Sequence, residues 1–237
     1  MHETEKQMTK TVQIDERTWI FEEDGVRFFL LTGTKKALLI DSGMQTHNAR
    51  ELAEGLTDLP ISLLCTHTDQ DHTGSNGEFE EFFLHPSECA YFYGQQSQHG
   101  RTVPVWDGDI LDLGGRALRV IAMPGHTPGS IAVLDEANRR LFSGDPVQDG
   151  RIFMFGEGRE MHAYLQSLKR LEAFSGLFDE IYPSHGSCPV TPGIIPKLIE
   201  AAGCILSGNA HGERETVFGR PVIAYEMDVA TFLCDAE

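Results

Sequence analysis

Between residues 67 and 72 the chain reads His67-Thr68-Asp69-Gln70-Asp71-His72, with two imidazoles and two carboxylates inside six positions. Imidazole nitrogen and carboxylate oxygen together suit zinc, iron and manganese. His67, Asp69 and Asp71 alternate, so an extended segment projects them to one side. His72 follows at once and needs a bend, which Thr73-Gly74 permits. Three later segments are built alike, namely Gly125-His126-Thr127-Pro128, Ser143-Gly144-Asp145-Pro146 and Pro183-Ser184-His185-Gly186. Each places one His or Asp among Gly and Pro, residues that set turn geometry and keep bulk away from a ligand.

The elements that must position these groups are short apolar runs. Thr11–Ile14, Trp19–Phe21, Val26–Thr32 and Ala37–Ile40 read as successive strands, the last ending at Asp41-Ser42-Gly43. A helix follows at about 48–56. Ile61–Cys65 is a further strand and runs straight into the His67 cluster, where loop-borne sites sit in α/β folds. Arg116–Ala122, Ile131–Leu134, Arg140–Phe142 and Ile181-Tyr182 are strands preceding the later segments. Met161–Phe174 carries Tyr164, Leu165, Leu168 and Leu171 at helical spacing. Gly193–Leu206 reads as a helix, and Val222–Tyr225 with Ala230–Leu233 as a closing strand pair.

The 237 residues carry a net charge of −17, from 36 acidic and 19 basic side chains. A field of that sign argues against nucleic acid and anionic membrane as partners. Five cysteines, an odd number with no C-x-x-C pair, fit a reducing cytosol better than a disulfide framework. The start, Met1-His2-Glu3-Thr4-Glu5, lacks the basic-then-apolar plan of a signal peptide. No apolar run approaches the roughly 20 residues that span a bilayer.

The ordered set Asp41, His67–His72, His126, Asp145 and His185 resembles the five metal-binding motifs of the metallo-β-lactamase superfamily. Within it, the motifs are most similar to those of the glyoxalase II-like and lactonase-like hydrolases. The resemblance implies an α/β fold, an αββα sandwich of two mixed sheets flanked by helices. It implies a single domain over residues 1–237, with 193–237 as its C-terminal helix and strand pair. Asp41 would orient the metal loop. His67, Asp69 and His126 would hold one divalent ion, Asp71, His72 and His185 a second, and Asp145 would bridge them. A water or hydroxide between the ions would attack a small-molecule ester, thioester, lactone or amide, with Asp71 relaying the proton. The family's second motif histidine is Asp69 here. Zinc is the first expectation for both ions, and the hard oxygen of Asp69 admits iron or manganese.

The same carboxylate suggests an alternative, a diiron redox centre like that of the flavodiiron proteins. The fifty-odd residues after His185 leave no room for their flavodoxin partner domain. A ligand-binding member of the fold without turnover is the third reading. The expected partner is a small-molecule substrate, and a homodimer is allowed. His2, His47, His85, His99, His162 and His211 stand alone and read as ordinary surface or core histidines. Phe153, Phe155, Cys65, Cys188 and the run Tyr91-Phe92-Tyr93 read as packing groups. The loops 83–104 and 147–161 are expected to wall the substrate pocket.

Overall fold

The computed structural model describes residues 9–94 and 100–236; His2 and His99 lie outside them. The chain opens with an antiparallel meander, β1 (Lys10–Asp15), β2 (Thr18–Glu23), β3 (Val26–Thr32) and β4 (Ala37–Ile40). Helix α1 (Ala49–Glu54) crosses to β5 (Ile61–Leu64), which pairs parallel with β4. Two more parallel strands, β6 (Glu81–Leu84) and β7 (Arg101–Pro104), complete a seven-stranded sheet, with α2 (Cys89–Gly94) between them.

The next strands are β8 (Ile110–Asp112), β9 (Ala117–Ala122), β10 (Ile131–Asp135), β11 (Arg140–Gly144) and β12 (Arg151–Met154). Helix α3 (Met161–Glu172) then leads to β13 (Glu180–Pro183). Strands β8 to β11 are antiparallel to one another and β13 joins β11 in parallel, giving a second, five-stranded sheet. Helix α4 (Ile194–Leu206) precedes β14 (Glu213–Val217), β15 (Arg220–Glu226) and β16 (Thr231–Asp235).

Side-chain alternation explains the layering. Along β3, Phe28 and Leu30 join the core beneath α1 and α2, whereas Phe29 and Leu31 meet the other sheet. On β10, Ile131 and Val133 face the first sheet, and Ala132 and Leu134 face α3 and α4. Strands covered on both faces read as continuous apolar runs, as β4 does. The result is a helix–sheet–sheet–helix sandwich, as the resemblance implied.

Two details differ from the sequence reading. The expected closing strand pair is part of a third sheet, ordered β12-β16-β15-β14. Its strand β14, Glu-Arg-Glu-Thr-Val, is too polar to show an apolar run. The stretch after Asp145 is not all loop either: its residues Arg151–Met154 form β12, paired parallel with β16. Strands β6, β7 and β8 were likewise outside the sequence reading.

The sheets direct their strand ends to one edge. Since β9 and β11 both run antiparallel to β10, and β13 is parallel to β11, the carboxyl ends of β9, β11 and β13 point the same way. Backbone bonds tie this edge to the first sheet: Ile131 N–H donates to Thr66 O at 2.9 Å and Arg27 N–H to Ser184 O at 2.9 Å.

Candidate metal centre

All seven expected residues converge at that edge. His67 follows β5, His126 follows β9, Asp145 follows β11 and His185 follows β13. The segment 67–72 is not extended throughout, as its alternation suggested. Asp69 is extended (φ −63°, ψ 150°), and Gln70–His72 then forms one turn of 3₁₀ helix. That turn brings Asp71 and His72 round together.

Two pockets share Asp145. Its Oδ2 lies 3.9 Å from His67 Nε2 and 3.5 Å from His126 Nε2. Its Oδ1 lies 3.2 Å from His72 Nε2 and 3.4 Å from His185 Nε2. Asp71 Oδ2 stands 3.0 Å from His185 Nε2 and 3.6 Å from His72 Nε2. One carboxylate therefore presents one oxygen to each pocket.

Each imidazole is anchored from behind through Nδ1. His72 Nδ1 donates to Asp41 Oδ2 at 2.9 Å and His126 Nδ1 to the carbonyl of Phe153 at 2.8 Å. His185 Nδ1 bonds the Gly25 carbonyl. His67 Nδ1 meets Thr66 Oγ1 at 3.1 Å, and that hydroxyl donates its own proton to Asp41 Oδ2 at 2.8 Å. With every Nδ1 carrying the proton, the Nε2 atoms hold lone pairs turned inward. His67 Nε2 and His126 Nε2 face each other at 3.3 Å, two acceptors with no proton to share. His72 Nε2 and Asp145 Oδ1 are buried without a hydrogen-bond partner among the described residues. Buried acceptors turned on one another are costly unless a cation lies between them, so the donor set fits two divalent ions.

The electrostatics agree. Burial opposes charge on His72, yet the fields of Asp71, Asp145 and Asp41 hold its imidazole well above the ordinary value, so Nε2 would carry a second proton until a cation displaced it. The same field favours any cation in the cavity. Burial also opposes charge on Asp145, but the imidazoles of His185 and His72 hold its carboxyl well below the usual range. His126, fully enclosed, is pushed down by burial.

Asp69 sits differently. Its Oδ2 is 3.5 Å from His67 Nε2 and 3.4 Å from His126 Nε2, within reach of the first pocket. Both of its oxygens also accept from Arg159 Nη2, at 2.8 and 2.6 Å. The tight clusters of ligand atoms are His67 with His126 and Asp145, and Asp71 with His72 and His185; Asp69 flanks the first.

Sequence reasoning misses three supporting residues. Arg159 stands inside the Gly- and Phe-containing stretch 151–160, where nothing local in the sequence marks it as a partner of Asp69. Glu88 is fully buried, and its Oε2 accepts from Thr68 N–H at 3.1 Å and Thr68 Oγ1 at 2.9 Å. Its Oε1 accepts from Gly129 N–H at 2.7 Å, so it clamps the His67 loop to the His126 loop. Tyr91 reads in the sequence as helix packing, but its ring lies 5.9 Å from the Arg159 guanidinium carbon. Burial and the nearby Asp69 charge push its hydroxyl up to about 12, so it keeps its proton.

The remaining candidates stay outside the cluster. His47, His162 and His211 are exposed, and His85 packs edge-on against Trp106. Cys65 is buried beneath α1 and α2, and burial pushes the Cys188 thiol up to about 11. No helix among the described residues is long and apolar enough to cross a membrane.

Comparison with known proteins gives a consistent picture. The sequence model of the metallo-β-lactamase superfamily matches residues 22–185. The chain is 28% identical over 211 residues to an acyl-coenzyme A thioesterase, MBLAC2, of Gallus gallus, covering 70% of this chain and 76% of that protein. It is 32% identical over 152 residues to a hydroxyacylglutathione hydrolase of Yersinia pestis, covering 63% of this chain and 58% of the relative. Among solved structures, a metallo-β-lactamase from Pontibacter korlensis superposes with a TM-score of 0.71 at 17% identity, over 83% of this chain and 99% of that one.

Proposed function

We propose, from the premise that the chain belongs to the metallo-β-lactamase superfamily, that this hydrolase cleaves a small-molecule thioester at a centre of two divalent ions. Relatives named as an acyl-coenzyme A thioesterase and a hydroxyacylglutathione hydrolase support acyl transfer to water, with a thioester as the scissile bond. The observation that carries the metal reading is the convergence of four Nε2 lone pairs on Asp71 and Asp145, with every Nδ1 committed outward. His67, Asp69 and His126 would hold one ion, Asp71, His72 and His185 the other, and Asp145 both. When bound, the ions supply an activated water and polarise the acyl oxygen.

The chain's own residues do the rest. Asp41 fixes the His72 tautomer and, through Thr66, that of His67. Asp71 is the least enclosed carboxylate of the cluster, its side chain 29% exposed. Its carboxylate would accept the proton of the attacking water, beside the His185 imidazole. A thiolate leaves without a strong acid behind it, so a weak proton relay suffices for a thioester where an amide demands more.

The test is a hydrolysis screen of zinc- and iron-loaded protein against acyl-coenzyme A, acylglutathione, aryl ester, lactone and phosphodiester substrates. Thioester turnover that exceeds the other classes supports the reading. Turnover confined to phosphodiesters, or none with both pockets filled, overturns it. Stoichiometric iron with a reducible spectrum and no hydrolysis would favour redox chemistry instead.

A further inference from the structure

We infer that Arg159 is a charge-compensating positioning residue of the first pocket, so that the Asp69–Arg159 pair behaves as one electrically neutral ligand. This rests on the metal reading above and deepens it.

Three observations carry the inference. The first is contact: Arg159 Nη2 reaches both oxygens of Asp69 across 90 residues of sequence, at 2.8 and 2.6 Å. The second is burial. The Arg159 side chain is 8% exposed and that of Asp69 14%, and Arg159 Nε has no hydrogen-bond partner among the described residues. A guanidinium this enclosed is costly unless its charge is met, and Asp69 meets it. The third is delivery. Arg159 adjoins Glu160, whose side chain caps α3 by accepting from His162 and Ala163 N–H. Glu160 N–H donates to Gly125 O at 2.8 Å, next to His126. The guanidinium also lies over the Tyr91 ring, 5.9 Å from its centroid. The arginine is held against the first pocket by a segment tied to the loop that carries one of its histidines.

The consequence is a matter of charge. Asp69, Asp71 and Asp145 put three negative charges around two pockets that share one wall. Pairing cancels one of them while leaving Asp69 Oδ2 within 3.5 Å of both first-pocket histidines. A neutral imidazole at position 69 would present the same net charge only if Arg159 were also removed. The two positions are therefore coupled. Either change alone leaves one charge unmet, and both together restore the balance.

The test is a four-member cycle of native protein, Asp69→His, Arg159→Met and the double variant, with Arg159→Lys as the conservative control. Zinc affinity is read by competition with a chromophoric chelator, zinc content by mass spectrometry, and melting by circular dichroism with and without zinc. Asp69→His should weaken one of two zinc equivalents by about 10-fold or more, because the guanidinium now opposes the ion. The double variant should recover most of that loss, because the unmet guanidinium charge is gone. Arg159→Met should melt lower when zinc-free yet regain native melting with zinc, since the ion replaces the lost cation. Arg159→Lys should keep native zinc-free melting. Native zinc affinity in Asp69→His, or a double variant as weak as Asp69→His, would overturn the inference. Native protein that takes up zinc at neither pocket defeats the metal reading itself, and this inference with it.

Discussion

Asp41 and His72 form a buried pair in which Asp41 Oδ2 accepts the Nδ1 proton of His72 at 2.9 Å, while Asp41 Oδ1 accepts from Thr66 N–H at 2.7 Å. Asp41 holds a positive φ of 61°, a backbone state few side chains adopt. One carboxylate thus orients an imidazole and anchors the strand end from which His67 emerges. Asp41→Asn keeps the shape but offers its amide nitrogen or a neutral oxygen where a charged acceptor stood. It should lower zinc affinity and turnover by roughly 10–100-fold with little change in KM. Unchanged zinc affinity would show that orientation comes from elsewhere.

Removal of metal should abolish hydrolysis, and re-addition of zinc should restore it. Asp145→Ala should do the same without recovery, because its two oxygens serve both pockets. Metal analysis should find at most one equivalent in this variant. Full content at full rate would refute the shared-ligand assignment.

Glu88→Ala removes the acceptor of two backbone N–H groups and one hydroxyl, two of them on Thr68 and one on Gly129. A buried donor that loses an acceptor costs about 1–3 kcal/mol, so a loss of about 3 kcal/mol in urea unfolding is expected. Glu88→Gln retains one acceptor oxygen and should lose less. Equal losses in the two variants would point to packing rather than hydrogen bonding.

Gly125 has φ +135°, and a Cβ there would lie 2.2 Å from Tyr164 N and 2.3 Å from Tyr164 Cα. The obstacle is the backbone of α3, which has no room to yield, since Tyr164 is fully buried and donates its hydroxyl to Pro146 O. Gly125→Ala should push α3 away from the loop carrying His126. Reduced soluble yield, a lowered Tm and loss of one zinc equivalent are expected together. A native Tm would mean that the helix can shift freely.

The central strands were legible because those covered on both faces read as short apolar runs bounded by turn residues, as Val26–Thr32 and Ala37–Ile40 do. Their arrangement as a sandwich came from the family resemblance; which of Phe28, Phe29, Leu30 and Leu31 meets which layer is seen only in the fold. The candidate ligand set was legible because four of its members crowd the loop after β5 and the other three each follow a strand among glycines and prolines. Strand β12 was not, since its pairing with β16 is made far downstream and leaves no local mark. The pairing of Arg159 with Asp69 was hidden for the same reason: it spans 90 positions. In the sequence alone Asp69 is an unbalanced anionic ligand, inclined to iron or manganese; the cation that balances it is delivered from that distance.

The outward anchors of the four imidazoles come from widely separated stations: Gly25 in the turn between β2 and β3, Asp41 and Thr66 just past the ends of β4 and β5, and Phe153 on β12. The Gly25–His185 bond alone spans 160 positions. A chain halted at any earlier stage of docking lacks at least one aimed nitrogen. On the two-ion reading proposed above, metal uptake would therefore follow folding rather than seed it, unlike in a small zinc-nucleated module. It audits the finished product: only a molecule whose two sheets have closed on each other has a complete coordination set to offer. Bound metal then stabilises that closed state selectively, which makes metal occupancy a gauge of tertiary completeness for any variant of this chain.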